Sequence, residues 1–374
     1  MKIQKLLLIL LFIPFADSAP RNCSELWPCR KALTEGWEML WGQDSERYVC
    51  SSKSQSDWYE TGEIRIGWGI YYISSGVFFN VIAWPVIYVF LSQNELTGMY
   101  SVFNVMGVIG IIECTEIWGV SIWPGWAALN GEVYCTSPTL ATFFGKLTMV
   151  QWITGTTSAI FLGLYRLSEA TNQGAVLYNS PLKTGLWLFL FLCYGIYGSL
   201  FYDTVLFNSK YMAPLLDPHV GNSPDQYSNE FLRLHNCAAS IALVIIYTWM
   251  TIETLSAYKN KSAFQKKLDI RVLIQAVSLC LTYVIPALSF VLIYVISSPP
   301  QWLILFADLS YQLSGGLPFI MYICVNRKIR FELKKMYKNT IGRVCKSQAT
   351  IPVVQIATMS TNFSTSTPFF NRMH

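Results

Sequence analysis

The sequence predicts an all-α membrane protein. It should be a bundle of seven transmembrane helices, N-terminus outside, with a short amphipathic cytoplasmic helix after the last span. Three observations carry this reading. Of 374 residues, 53% are hydrophobic and only 13% charged, against about 25% charged in soluble domains, which leaves too little polar surface to face water. Seven apolar windows, roughly 67–91, 99–122, 139–163, 184–207, 236–257, 271–297 and 302–325, are each long enough to cross the hydrocarbon core as a helix. Lys and Arg are also unevenly shared between the two sides. Lys259, Lys261, Lys266, Lys267 and Arg271 follow span five, and Arg327, Lys328, Arg330, Lys334, Lys335 and Lys338 follow span seven. Such residues concentrate on the cytoplasmic side, which puts the N-terminus out and the C-terminus in.

The elements follow in order. The run LLLILLFIPF at 6–15 is preceded by Lys2 and Lys5 and followed by Ala16 and Ser18. It is too short to span and reads as a signal peptide, cleaved near residue 18, with an uncleaved anchor as the alternative. Residues 19–66 then form an extracellular segment holding Cys23, Cys29 and Cys50, with a glycosylation sequon at Asn22. The bundle occupies 67–325. Within it, residues 208–236 form a long external loop rich in Pro, Asn and Ser, able to fold over a pocket. An amphipathic helix over 326–338 should lie on the inner membrane face, and the Ser/Thr-rich tail, 339–374, is expected to be disordered. Cys345, just past the basic helix, is either a palmitoylation site or a plain free thiol.

Ionisable groups inside a membrane are costly and usually face the bundle interior. Glu113 and Glu116 are placed in the outer half of span two, and Asp308 in the outer half of span seven, ten residues before Pro318. Lys146 lies twenty residues before Arg166, roughly 30 Å along a helix rising 1.5 Å per residue, and so at the outer edge of the bilayer. These four are candidates for a polar patch lining a pocket open to the outside. An ion pair with a snorkelling lysine is the plainer reading.

Arg166 ends span three on the cytoplasmic side, with Glu169 one turn on as a pairing neighbour. It is either an interfacial arginine reaching headgroups or a switch residue offered to a cytoplasmic partner. The second reading gains from its surroundings. Pro286 in span six and Pro318 in span seven each remove a backbone hydrogen bond and kink a helix. Gly315 and Gly316 loosen the same place, and Tyr322 follows one turn after Pro318.

These residues resemble a known family. YVC at 48–50 with Trp58, Cys135 within VYCTSPTL, Arg166 thirty-one residues later, and YQLSGGLPFIMYICVNRKIR in span seven are similar to nematode chemoreceptors of the serpentine receptor class T. That class is a branch of the seven-helix G-protein-coupled receptors, and the resemblance covers about 45–340. It implies a GPCR-like fold, an external small-molecule or peptide ligand and a cytoplasmic heterotrimeric G protein. It also implies a multi-pass place in the plasma membrane, a sensory cilium included, and no cofactor. Arg166, Glu169, Pro286, Pro318 and Tyr322 become the candidate coupling residues. Cys135 would form a disulfide at the outer end of span three. The wider superfamily pairs this cysteine with one in the second external loop, but 208–236 holds none. Cys50 is the first candidate partner and Cys237 the second, with Cys23–Cys29 as a local pair.

Other classes fit less well. Tyr202-Asp203 and Pro286-Ala287-Leu288 echo intramembrane aspartyl proteases, but two aspartates sharing a proton are needed, and the Gly-rich motif for the second is missing. Three histidines without ligand spacing suggest no metal site, and no nucleic-acid partner is expected. A seven-span ligand-gated channel or transporter is the alternative function.

Overall fold

The computed structural model describes residues 47–92, 102–171, 180–257, 263–296 and 298–349. The signal peptide, Asn22, Cys23, Cys29 and the tail past 349 lie outside the described residues, as do the side chains of Glu169 and Cys345. Two compact units divide the chain, Met1–Leu333 and Lys334–His374. Among its described residues, the first contains seven helices long and apolar enough to cross a membrane: Ile66–Ser92, Phe103–Asn130, Pro138–Ser168, Leu182–Phe201, Glu230–Ser256, Ile270–Val295 and Gln301–Val325.

Span three is the centre of the bundle, packed against spans two, four, five and six. Its apolar window is 89% buried, against 33% for span four, which touches the bundle chiefly through span three. Span seven closes the ring on spans one, two and six.

Several boundaries differ from the sequence reading. Span two continues to Asn130, past the expected end at 122, because a π-turn at Trp118–Ile122 precedes Pro124. A widened turn accommodates the missing N–H and the ring of a proline that would break a regular helix. Glu113 and Glu116 consequently lie near the middle of the span rather than in its outer half. Span four stops at Phe201, where Tyr202 turns extended, so Asp203 is outside the helix and Leu206–Asn208 forms a strand instead. The sixth helix begins at Ala263, so Lys266, Lys267 and Arg271 ride on a helix rather than in a loop. Past span seven, Asn326 Oδ1 accepts from Lys328 N (3.0 Å) and Ile329 N (3.3 Å), an N-cap arrangement. The helix it starts runs over Arg327–Ala349, beyond the expected end at 338. Arg330 Nη1 reaches back to the carbonyls of Ile323 and Cys324 at 2.7 and 2.5 Å, satisfying acceptors that a helix end leaves open.

The end of the bundle that carries the disulfide has its own core of Tyr48, Trp58, Trp123, Tyr134, Phe207 and neighbours. Cys50 is bonded to Cys135, the first of the two candidate pairings, and Cys237 is a free thiol. A short helix, Gln55–Thr61, starts at a Ser54–Asp57 capping box, and Trp58 Nε1 donates to Cys50 O at 2.9 Å. Gly62 passes so close to Gly131 O that a Cβ would lie 1.9 Å from it. Strand β1 (Leu206–Asn208) pairs antiparallel with β2 (Ala213–Leu215), Phe207 opposite Pro214. Ser209 N donates to Glu132 O (3.0 Å) and Ser209 Oγ accepts from Glu63 N (3.1 Å), tying the hairpin to both flanking segments.

Arg47 fastens the same region. Its guanidinium makes two 3.0 Å bonds to the Asp203 carboxylate and a third, 3.1 Å, to Gln226 O. Tyr48 adds its hydroxyl to Asp203 Oδ1 at 3.3 Å. Burial and the Asp203 carboxylate push the Tyr48 phenol well up, so it remains a neutral donor. Asp203 is only 7% exposed while Arg47 is 45% exposed, so Arg47→Ala strands a buried charge but solvent screens part of the loss. We expect a loss of about 2 kcal/mol, read as a lower midpoint in thermal unfolding of the detergent-solubilised protein. Adding Asp203→Asn should recover part of it, and an unchanged midpoint in Arg47→Ala would refute the account.

Candidate functional site

A cavity opens beneath the hairpin at the disulfide end. Thr148, Met149 and Trp152 of span three, Leu232 and Asn236 of span five, Phe290 and Tyr294 of span six and Tyr311 of span seven form its walls, with Val205 and Pro214 above. It encloses about 400 Å³ of empty space, its open mouth included. A second chamber, about 290 Å³ with its opening included, shares Thr148, Val205 and Pro214 with the first, and is lined further by Trp123, Phe144, Phe207 and Asp308. The Trp123 and Phe144 rings stack at 5.0 Å between centroids.

The three candidate acids within the spans, Glu113, Glu116 and Asp308, are each met by a tyrosine from another span. Tyr72 of span one donates to Asp308, and Tyr283 of span six donates to Glu113 at 2.6 Å. Tyr311 lies beside Glu116 while its hydroxyl also reaches Thr148 O at 3.3 Å. A phenol inside a bundle usually finds such a polar partner. Next to them, Gln312 Nε2 bonds Ser75 (2.7 Å) and Ser121 (2.8 Å). Of the acids, Asp308 reaches a cavity wall; Glu113 and Glu116 line neither chamber.

Lys146 is not part of this group. It is 3% exposed, and its ammonium donates to the carbonyls of Ser199 and, at 3.0 Å, Tyr202, with Asp203 and Arg47 as the charges nearby. The lysine therefore closes the carbonyl end of span four, where a cation suits the helix dipole. It neither snorkels nor joins the acids in one patch.

At the opposite end of span three, Arg166 is half-buried, with Nη2 3.5 Å from Met106 Sδ of span two. The hydroxyls of Tyr247 on span five and Tyr322 on span seven both lie within reach of its charge. Tyr322 also packs edge-on against Phe90 of span one, centroids 5.2 Å apart. Arg166 and Tyr322 are thus brought together. Pro286 and Pro318 lie inside helices Ala263–Val295 and Gln301–Val325, and Pro85 lies inside span one as well.

Comparison with known proteins gives this arrangement a family. Residues 40–344 match the family model described as serpentine type 7TM GPCR chemoreceptor Srt. The chain belongs to that family. Serpentine receptor class T-55 of Caenorhabditis elegans is 46% identical over 353 residues, covering 92% of this chain and 94% of the relative. Among solved structures, squid rhodopsin matches with a TM-score of 0.54 at 10% identity, over 80% of this chain and 93% of that one, a likeness of fold. This Srt protein is accordingly a seven-transmembrane receptor and a multi-pass membrane protein, and membership of a receptor family points away from an enzyme.

Several residues of the Srt bundle that matter here escaped the sequence reading. Tyr72, Tyr283 and Tyr311 were not among the candidate residues, although a hydroxyl inside hydrocarbon is itself a signal that a partner exists. Arg47 gave no sign of its place against Asp203. His235 is enclosed between Thr156 Oγ1 (2.8 Å from Nε2) and the Tyr194 hydroxyl (3.3 Å from Nδ1), a histidine held by its neighbours rather than offered to a ligand.

Proposed function

We propose that this receptor binds a small external ligand in the hairpin-covered cavity and activates a heterotrimeric G protein at the Arg166 end. Its N-terminus then faces outside and its Arg166 end the cytoplasm of a plasma membrane. One observation supports this above others: span three both lines the cavity, through Thr148 and Trp152, and carries Arg166 at its far end. Eighteen residues separate Thr148 from Arg166, about 27 Å of continuous helix.

Coupling follows from populations. A ligand that binds one arrangement of the bundle better than another shifts the balance by that difference in affinity. Pro286 and Pro318 supply the places where spans six and seven have lost a helical hydrogen bond and can bend. Arg166, Tyr247 and Tyr322 come from three spans, so a relative movement of those spans changes what Arg166 meets.

The test uses receptor tagged at both ends in one cell line, stained before and after permeabilisation, with basal G-protein activation recorded. An external N-terminus is expected, with activation reduced to background in Arg166→Ala at equal surface level. Arg166→Ala signalling as well as the parent would sink the coupling role, and an internal N-terminus would redirect attention to a channel.

A further inference from the structure

The cavity walls restrict what sort of molecule can occupy them. This inference rests on the ligand-binding reading above and narrows it. Among the described residues, no ionised side chain lines the larger chamber. Its surface is aromatic and aliphatic, from Trp152, Phe290, Tyr294, Tyr311, Met149 and Leu232, with few polar atoms to set an orientation, the usual composition of a small-molecule site.

Those polar atoms are mostly spent within the protein. Thr148 Oγ1 donates to Phe144 O at 2.7 Å. The Tyr311 hydroxyl donates to Thr148 O. Trp152 Nε1 donates to Asn236 Oδ1 at 2.8 Å. That last bond has a consequence for Asn236, which is 2% exposed. An amide carries one acceptor oxygen and two donor hydrogens. With the oxygen held by Trp152, what Asn236 presents is its NH₂, and among the described residues that nitrogen donates to nothing. The indole therefore fixes which face of the amide is offered. Tyr294 brings the other hydroxyl on the wall and can donate or accept, so it does not select.

We infer that the receptor recognises an uncharged, largely apolar small molecule carrying a hydrogen-bond acceptor, such as a ketone, ester or lactone oxygen, with Asn236 as the donor that reads it and Trp152 as the residue that orients Asn236. A cationic guest would have to use Asp308, which lines the neighbouring chamber and already accepts from Tyr72. An anionic guest meets no cation among the described residues of either wall, since Lys146 is turned to the carbonyls of span four. Both would lose their hydration without a free countercharge, a heavy cost in an apolar enclosure.

The test is a binding screen on the purified full-length receptor in nanodiscs, read by thermal stabilisation and titration. The probes are four matched series of short-chain compounds: alkanes, primary amines, carboxylates, and neutral ketones, esters and lactones. Parent, Asn236→Leu, Asn236→Asp, Trp152→Phe, Asp308→Asn and Met149→Trp, the last filling the chamber, are compared. Binders confined to the neutral acceptor series are expected, weakened about tenfold by Asn236→Leu, the scale of one buried hydrogen bond. Asn236→Asp should weaken them at pH values where the introduced carboxyl is ionised and cannot donate, and spare them at lower pH, where the carboxyl is protonated and its O–H donates. Trp152→Phe should weaken them more mildly. Binders found among the amines and lost in Asp308→Asn would overturn the inference while keeping a cavity ligand. Neutral binders indifferent to both Asn236 variants, yet abolished by Met149→Trp, would also overturn it. Absence of binders, or binders indifferent to Met149→Trp as well, would instead remove the cavity as the ligand site and the inference with it. Variants that unfold are recognised by their midpoint without probe, and the isosteric Asn236→Asp then carries the comparison.

Discussion

Cys135→Ser, or equally Cys50→Ser, should remove about 4–5 kcal/mol from the stability of the receptor. The two cysteines are 85 residues apart in sequence, and the loop-closure entropy their bond withholds from the unfolded chain is of that size. The bond also holds the segment from Arg47 to Thr61 against the start of span three. There Gln55 Nε2 donates to Thr136 O at 3.0 Å and Tyr48 packs on Tyr134, centroids 5.5 Å apart. The expected reading is a fall in thermal midpoint and in the fraction reaching the cell surface, matched by reducing agent on the parent protein. Cys237→Ser is the control. Its thiol is free, so its midpoint should stay with the parent, and a drop as large as that of Cys135→Ser would sink this assignment of the bond.

Gly316→Leu should cost about 3 kcal/mol or more, the upper end of overpacking in a filled core. A Cβ on Gly316 would lie 2.3 Å from the Phe79 ring of span one. Gly315 is less tight but still close, its Cβ position 3.1 Å from Ile117 and 3.3 Å from the Glu113 carbonyl. Small residues let helices approach closely in a membrane, where packing rather than hydrophobicity drives their association. Leucine at 316 therefore prises span seven from span one. It should strain the neighbouring Tyr72–Asp308 bond, two turns away on the same spans. The check is thermal unfolding with a second-site partner: Phe79→Ala opens the space and should restore much of the loss when combined with Gly316→Leu. A double variant no better than Gly316→Leu alone would reject steric conflict with Phe79 as the cause.

The glycine pair shows where local reading stopped. Two adjacent glycines before Pro318 were read as a loosened stretch, because glycine weakens a helix by its backbone entropy. In the bundle they are contact points, filled by Phe79 and Ile117, and the helix runs unbroken from Gln301 to Val325. Span two misled in the same way. Its apolar window ends at 122 in the sequence, yet a π-turn carries the helix on to Asn130. In both cases the residues permitted two outcomes, and packing against neighbouring spans chose.

Lys146 and the acids make the contrast sharper. All four were recognisable as candidates, because a charge among twenty apolar residues is visible in the sequence and must face a bundle interior. Their partners were not visible. Tyr72 meets Asp308 across 236 residues and Tyr283 meets Glu113 across 170. Lys146 turns to the end of span four instead of to the acids, a choice set by the rotation of one helix at about 100° per residue.

By itself the sequence determined that seven helices cross a membrane, that ionisable side chains mark their interior faces, and that a pattern from Tyr48 to Arg330 belongs to a receptor family. These depend on hydropathy summed over windows of one span and on residue identity at set spacings, both local along the chain. Tertiary structure alone decided which tyrosine serves which acid, that the hairpin covers the cavity, that Arg47 holds Asp203, and that Trp152 turns the amide of Asn236. Each of these joins segments far apart in the chain, so each is settled by helix rotation, register and close packing, which no single segment contains.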